Sequence, residues 1–90
     1  MCTALSILYL SFNEEDVFGQ SLESIASIAD EIIVVDSGST DSTIQLAEKA
    51  GASVYERPLG NWGEQRNWGL EKCKHPWVLV VDCDEVFTPE

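Results

Sequence analysis

Two kinds of apolar pattern alternate along the chain. Ala4 to Leu10 is an almost unbroken apolar run, the mark of a buried strand. Glu31 to Asp36 (Glu-Ile-Ile-Val-Val-Asp) is a second, apolar throughout as expected where both faces of a sheet are covered. Between them Phe18, Leu22, Ile25 and Ala29 recur at helical spacing over Glu14 to Ala29, behind acidic residues that suit a helix N-terminus. Ser39, Thr40 and Asp41 are N-cap candidates for a second helix that runs to about Ala50 and stops at Gly51. Ala52 to Glu56 reads as a short third strand, and Trp77 to Val81 as a fourth. Asn61 followed by Glu64 resembles a capping box and opens a third helix that extends to about Lys74. This alternation predicts an α/β fold, a Rossmann-like parallel sheet with flanking helices. Right-handed crossovers, and the need for the loops after strands one and four to meet around a ligand, predict the strand order 3-2-1-4.

Composition narrows the partners. Residues 1–90 form one small domain, and 16 acidic against 5 basic residues give a net charge of −11. Such a chain repels phosphate backbones, so nucleic acid is excluded as a partner, although a cation could still bridge a phosphate-bearing ligand. No stretch approaches the ~20 apolar residues of a transmembrane segment, and Met1 to Leu10 lacks the basic start of a signal peptide. Cys2, Cys73 and Cys83 are odd in number and lack metal-like spacing, which points to reduced thiols and a cytoplasmic location. The chain stops five residues after Glu85 with no closing element, so it reads as a fragment whose last strand exposes an edge.

The chemistry-bearing residues collect at strand ends. Polar loops follow strands one, two and four: Ser11-Phe12-Asn13-Glu14, Asp36-Ser37-Gly38-Ser39-Thr40-Asp41 and Asp82-Cys83-Asp84-Glu85. All three lie on the carboxyl edge of the sheet, where open α/β folds bind ligands. In the second loop, glycine and small hydroxyl residues allow close backbone approach to a ligand, the alternative being that Ser39, Thr40 and Asp41 only cap the helix. Asp36, ending an apolar strand, is expected to face a ligand or cation. Asp82 and Asp84, one residue apart, point the same way and suit a hard divalent cation, the alternative being a solvated acidic turn. Asp36, Asp82, Asp84 and Glu85 would repel one another across a narrow crevice, and a cation relieves that repulsion. Arg66 either reaches phosphate or carbonyl oxygens of a ligand, which suit its guanidinium fork, or pairs with a carboxylate at the sheet edge. Trp62, Trp68 and Trp77 read as packing residues, Cys73 and Cys83 as small apolar fillers, and His75 as a solvated loop residue.

These residues resemble family 2 inverting glycosyltransferases of the glycosyltransferase A fold, of which the chain looks like the N-terminal half. The matching stretches are Asn13-Glu14-Glu15, Glu31 to Asp41, Gln65-Arg66-Asn67 and Asp82-Cys83-Asp84-Glu85, in the family's order over nearly the whole chain. Trp77 to Glu85 looks most like the bacterial branch that adds glucose-like sugars to lipopolysaccharide core. The resemblance implies a nucleoside-diphosphate sugar donor, UDP-linked, bound through Ser11, Asn13, Glu15, Asp36, Ser37, Gly38, Arg66 and Asp82. It implies Mg2+ or Mn2+ held by Asp84 and Asp82, with Ser11 and Asn13 at the base pocket and Asp36 on the base or ribose. The implied reaction is a single displacement with inversion onto a hydroxyl of a saccharide or lipid-linked acceptor, in cell-envelope synthesis. The full-length protein is then cytoplasmic, peripheral at the inner face of the membrane. Cys83 departs from the small residue, such as alanine, usual at its position. The family's catalytic base and acceptor site lie downstream of Glu90, so no catalytic base is assigned within these residues and the isolated chain is expected to be inactive.

Three rival readings start from the same residues. Val80-Val-Asp82-Cys-Asp84-Glu85-Val-Phe-Thr88 also fits a haloacid-dehalogenase-like phosphatase, but in that family the motif sits on the first strand, whereas three βα units precede it here. A nicotinamide-binding Rossmann domain would need G-x-G-x-x-G after the first strand, which is absent. A non-catalytic module that binds a nucleotide sugar fits the same loops.

Overall fold

A computed structural model describes residues 4–58 and 60–86. Cys2 and Thr88 lie outside the described residues. The elements follow as β1 (Leu5–Ser11), α1 (Glu15–Ile25), β2 (Glu31–Asp36), α2 (Thr43–Lys49), β3 (Ser53–Glu56), α3 (Trp62–Lys72) and β4 (Trp77–Val81). The sheet is parallel, in the expected order β3-β2-β1-β4.

Strand alternation sorts the apolar side chains into two clusters. Ile7, Tyr9, Ile32 and Val34 pack with Phe18, Leu22 and Ile25 of α1 and Ala47 of α2. Leu8, Ile33 and Val35 pack on the other face with Tyr55, Trp68, Cys73 and Val78, beneath α3. Tyr9 is fully buried, stacks edge-on to Phe18 at 4.9 Å and shares a 2.7 Å hydrogen bond with the Ser21 hydroxyl, so its phenol is satisfied inside the core. At the opposite edge from the loops, Glu31 Oε1 accepts from the Ser6 hydroxyl (2.8 Å) and the Lys74 amide (2.9 Å), tying β2 to β1 and to the entry of β4.

Several helix boundaries differ from the sequence pattern. α1 ends at Ile25 rather than Ala29, because residues 26–28 tighten into turns, with Ile28 and Ala29 both donating to the Ile25 carbonyl. Asp30 then accepts from the Leu5 amide at 2.7 Å, which fixes the start of the sheet. α2 starts at Thr43, with Ser42 at the cap position and no side-chain bond of its own. Of the three expected caps, Asp41 reaches the helix, accepting from the Thr43 amide at 2.9 Å, whereas Ser39 and Thr40 turn to the neighbouring loop. α3 opens as expected, the Asn61 side chain accepting from the Glu64 amide at 2.8 Å. Of the three tryptophans expected to pack, only Trp68 does so, edge-on to Tyr55. Trp62 and Trp77 are 54% and 62% exposed. His75 is half-buried rather than solvated, its amide donating to the Ser6 hydroxyl at 3.4 Å. No described helix is long and apolar enough to cross a membrane.

Candidate functional site

β2 delivers Asp36 to the carboxyl edge of the sheet, where its side chain is fully buried. Four donors converge on the carboxylate: the Ser11 hydroxyl (2.7 Å), the Ser39 hydroxyl (2.6 Å), the Ser39 amide (2.6 Å) and the Gly38 amide (2.9 Å). Gly38 adopts φ +108°, a conformation that suits glycine and folds the loop back over the carboxylate. Burial pushes the Asp36 carboxyl up, but the bonds from Ser39, Ser11 and Gly38 outweigh it and hold the group below its ordinary value. The expected orientation is thereby corrected: Asp36 is turned into its own loop, not into an open crevice, because the loop donors satisfy both oxygens.

The loops after β1 and β2 are stitched into one unit. Asn13, at φ +53°, donates its amide to the Ser39 hydroxyl (2.8 Å), and its side-chain oxygen accepts from the Thr40 amide (2.8 Å). The Glu14 amide donates to the Thr43 hydroxyl (2.8 Å), and Glu15 accepts from the Ser42 amide (3.0 Å). Asp41 accepts from the Thr43 and Glu15 amides at 2.9 and 3.3 Å. The hydroxyl residues read from sequence as helix caps therefore lock two loops together.

After β4, the chain turns on itself as the Glu85 carboxylate accepts from the Asp82 amide (2.8 Å) and the Glu85 amide donates to the Asp82 carbonyl (3.0 Å). Cys83 is turned inward, buried, with its thiol 3.5 Å from the Leu10 carbonyl. Burial, reinforced by the charges of Glu14, Asp82, Asp84 and Asp36, pushes that thiol far above its usual range and keeps it protonated. Its burial fits the apolar filler expected. Asp82 and Asp84 on either side of it line a cavity of about 370 Å³, together with Glu14, Leu10, Trp62, Val80 and Val81. Glu14 is pushed up by burial and then by the charges of Asp84, Asp41 and Asp82. The acidic group is thus Glu14, Asp82 and Asp84. Of the four residues expected to repel across the crevice, Asp36 is withdrawn into its loop and Glu85 braces the turn.

Among the described residues, no three His, Cys, Asp or Glu side chains are gathered as a ready-made metal site. Two carboxylates on an exposed turn fit a hard cation that takes its remaining ligands from water and phosphate. Arg66 is exposed on α3 and is not among the residues lining the cavity. Its neighbour Gln65, fully buried, links the loops instead: its amide nitrogen donates to the Arg57 carbonyl (2.8 Å) and the Ser37 hydroxyl (3.3 Å), and its oxygen accepts from the Arg57 guanidinium (2.7 Å). Sequence reasoning missed Gln65 because a polar helical residue reads as solvent-facing. It also missed Trp62, although a first-turn residue of a helix that follows a parallel strand must lie near the ligand edge.

The fold has counterparts among known proteins. The model of glycosyl transferase family 2 matches residues 6–90. An uncharacterized glycosyltransferase of Rickettsia conorii is 37% identical over 86 residues, covering 96% of this chain and 30% of that protein. The lipopolysaccharide core biosynthesis glycosyltransferase LpsC of Rhizobium meliloti is 39% identical over 87 residues, covering 90% of this chain and 32% of that protein. Glucosyl-3-phosphoglycerate synthase from Mycobacterium tuberculosis, in a crystal structure with Mn2+, UDP and phosphoglyceric acid, superposes with a TM-score of 0.79 at 29% identity, over 93% of this chain and 34% of that one. The chain spans about a third of the length of these relatives.

Proposed function

The chain belongs to glycosyltransferase family 2, and from that premise we propose that it forms the donor-binding part of a transferase that takes a sugar from a UDP-sugar and passes it, with inversion, to an acceptor hydroxyl. The observation that carries this reading is the placement of Asp82 and Asp84 in one cavity with Glu14, at the carboxyl ends of β1 and β4. The loop unit of Ser11, Asn13, Glu15, Asp36, Ser37 and Gly38 serves the nucleoside side, its backbone set by the bonds to Asp36. Arg66, exposed on α3, serves the nucleotide by charge. Asp84 and Asp82 would hold Mg2+ or Mn2+, which would supply Lewis-acid stabilisation of a departing diphosphate. The residues themselves bind and orient the donor, while the base that deprotonates the acceptor is assigned to sequence beyond these 90 residues. The Mn2+- and UDP-bound synthase supports the choice of donor and cation, and LpsC supports a role in lipopolysaccharide synthesis. The location that goes with this role is cytoplasmic, on the inner face of the membrane.

Calorimetric titration with UDP-glucose tests the reading. The expected outcome is binding in Mn2+ that disappears in a chelator; the absence of binding under both conditions would contradict it.

A further inference from the structure

Trp62 stands at the first position of α3, behind an Asn61 cap that fixes where the helix begins. Its indole is 54% exposed and belongs to neither core cluster, yet it lines the cavity with Glu14, Asp82 and Asp84. None of the described residues lining that cavity is basic. With Asp82 and Asp84 given to the cation, such walls offer hydroxyl groups the Glu14 carboxylate as an acceptor and offer a ring a flat aromatic face, whose negative quadrupole attracts C–H bonds. Away from the cation a diphosphate finds only like charge here, whereas a neutral hexose, apolar on its faces and hydroxylated at its rim, matches both features. We propose that Trp62 is a specificity-determining residue whose indole lies against the hexosyl ring of the donor, so that the site favours a nucleoside diphosphate sugar over the nucleoside diphosphate alone. This assignment rests on the nucleotide-sugar reading above. An aromatic side chain suits the task because it presents a large rigid surface with only two rotatable bonds to order.

The test is calorimetry on the whole 90-residue chain in saturating Mn2+, with UDP and UDP-glucose as probes. The unaltered chain is expected to bind UDP-glucose more tightly than UDP. Trp62→Ala should weaken UDP-glucose about 3- to 10-fold, the worth of one aromatic contact, and leave UDP unchanged. Trp62→Phe should keep most of the preference and Trp62→Leu should lose it, which separates stacking from bulk. Urea midpoints of all three variants should match the unaltered chain, as expected for an exposed side chain. Equal weakening of both probes, no weakening of either, or no preference in the unaltered chain would overturn the assignment while leaving UDP binding intact. Failure of the unaltered chain to bind UDP at all would overturn the nucleotide-sugar reading and this assignment with it.

Discussion

Asp36 keeps a charge inside the sheet edge through four hydrogen bonds. Asn in its place has the shape but only one acceptor oxygen, so at least one loop amide or hydroxyl would face an NH2 group. Asp36→Asn is therefore expected to cost roughly 1–3 kcal/mol, read as a lower urea midpoint at neutral pH. The pH dependence follows from the direction of the shift. Because the folded value lies below the ordinary 3.8, the stabilisation is complete above 3.8 and is lost as pH falls through the folded value. Asp41 and Glu31, also lowered, act in the same sense. Glu14 is raised, so its contribution is present at acid pH and fades as pH rises through its folded value. Urea midpoints at pH 7 and pH 3 should fall less steeply for Asp36→Asn than for the unaltered chain.

At the level of elements, α3 lies close on the sheet because Gly69 has no side chain. A Cβ there would meet Leu8 Cδ1 at 2.7 Å and Val35 Cγ2 at 3.1 Å, and both neighbours are fully buried. Gly69→Ala is expected to destabilise by about 1–3 kcal/mol despite its gain in helix propensity, as urea unfolding will report. That contact was invisible in sequence, where Gly69 is one more residue in a polar helix. What could be read were features with a local cause. β4 is bracketed by Pro76 and Asp82, α3 by its capping box, and the strand order by crossover handedness. The start of α2 and the orientation of Asp36 were not legible, because both depend on β1-loop donors distant in sequence. The meeting of the loops after β1 and β4 was legible in the strand order. That Glu14 rather than Asp36 joins Asp82 and Asp84 in the cavity was not, because the loop donors that withdraw Asp36 are set by tertiary contacts.

For the molecule as a whole, a net charge of −11 and a cavity edged by three carboxylates set the terms for any anionic ligand. β4 leaves Trp77, Leu79 and Val80 exposed, although parallel strands ordinarily have both faces covered. The chain also spans only about a third of its relatives, so the isolated 90 residues are expected to bind donor without transferring sugar. Turnover well above background in a radiolabelled transfer assay would show that the catalytic base lies within them. The central claim is that a divalent cation on Asp84 joins this acidic edge to a diphosphate, and Asp84→Asn tests it most directly by removing one charge while keeping the shape. Loss of such a contact costs on the order of 2–5 kcal/mol, or ~30-fold or more in affinity. Calorimetry with UDP-glucose should find Mn2+-dependent binding in the unaltered chain and weakening of that size in Asp84→Asn, with a much smaller change in Asp41→Asn. Equal affinity in Asp84→Asn, or binding that never requires the metal, would contradict the account.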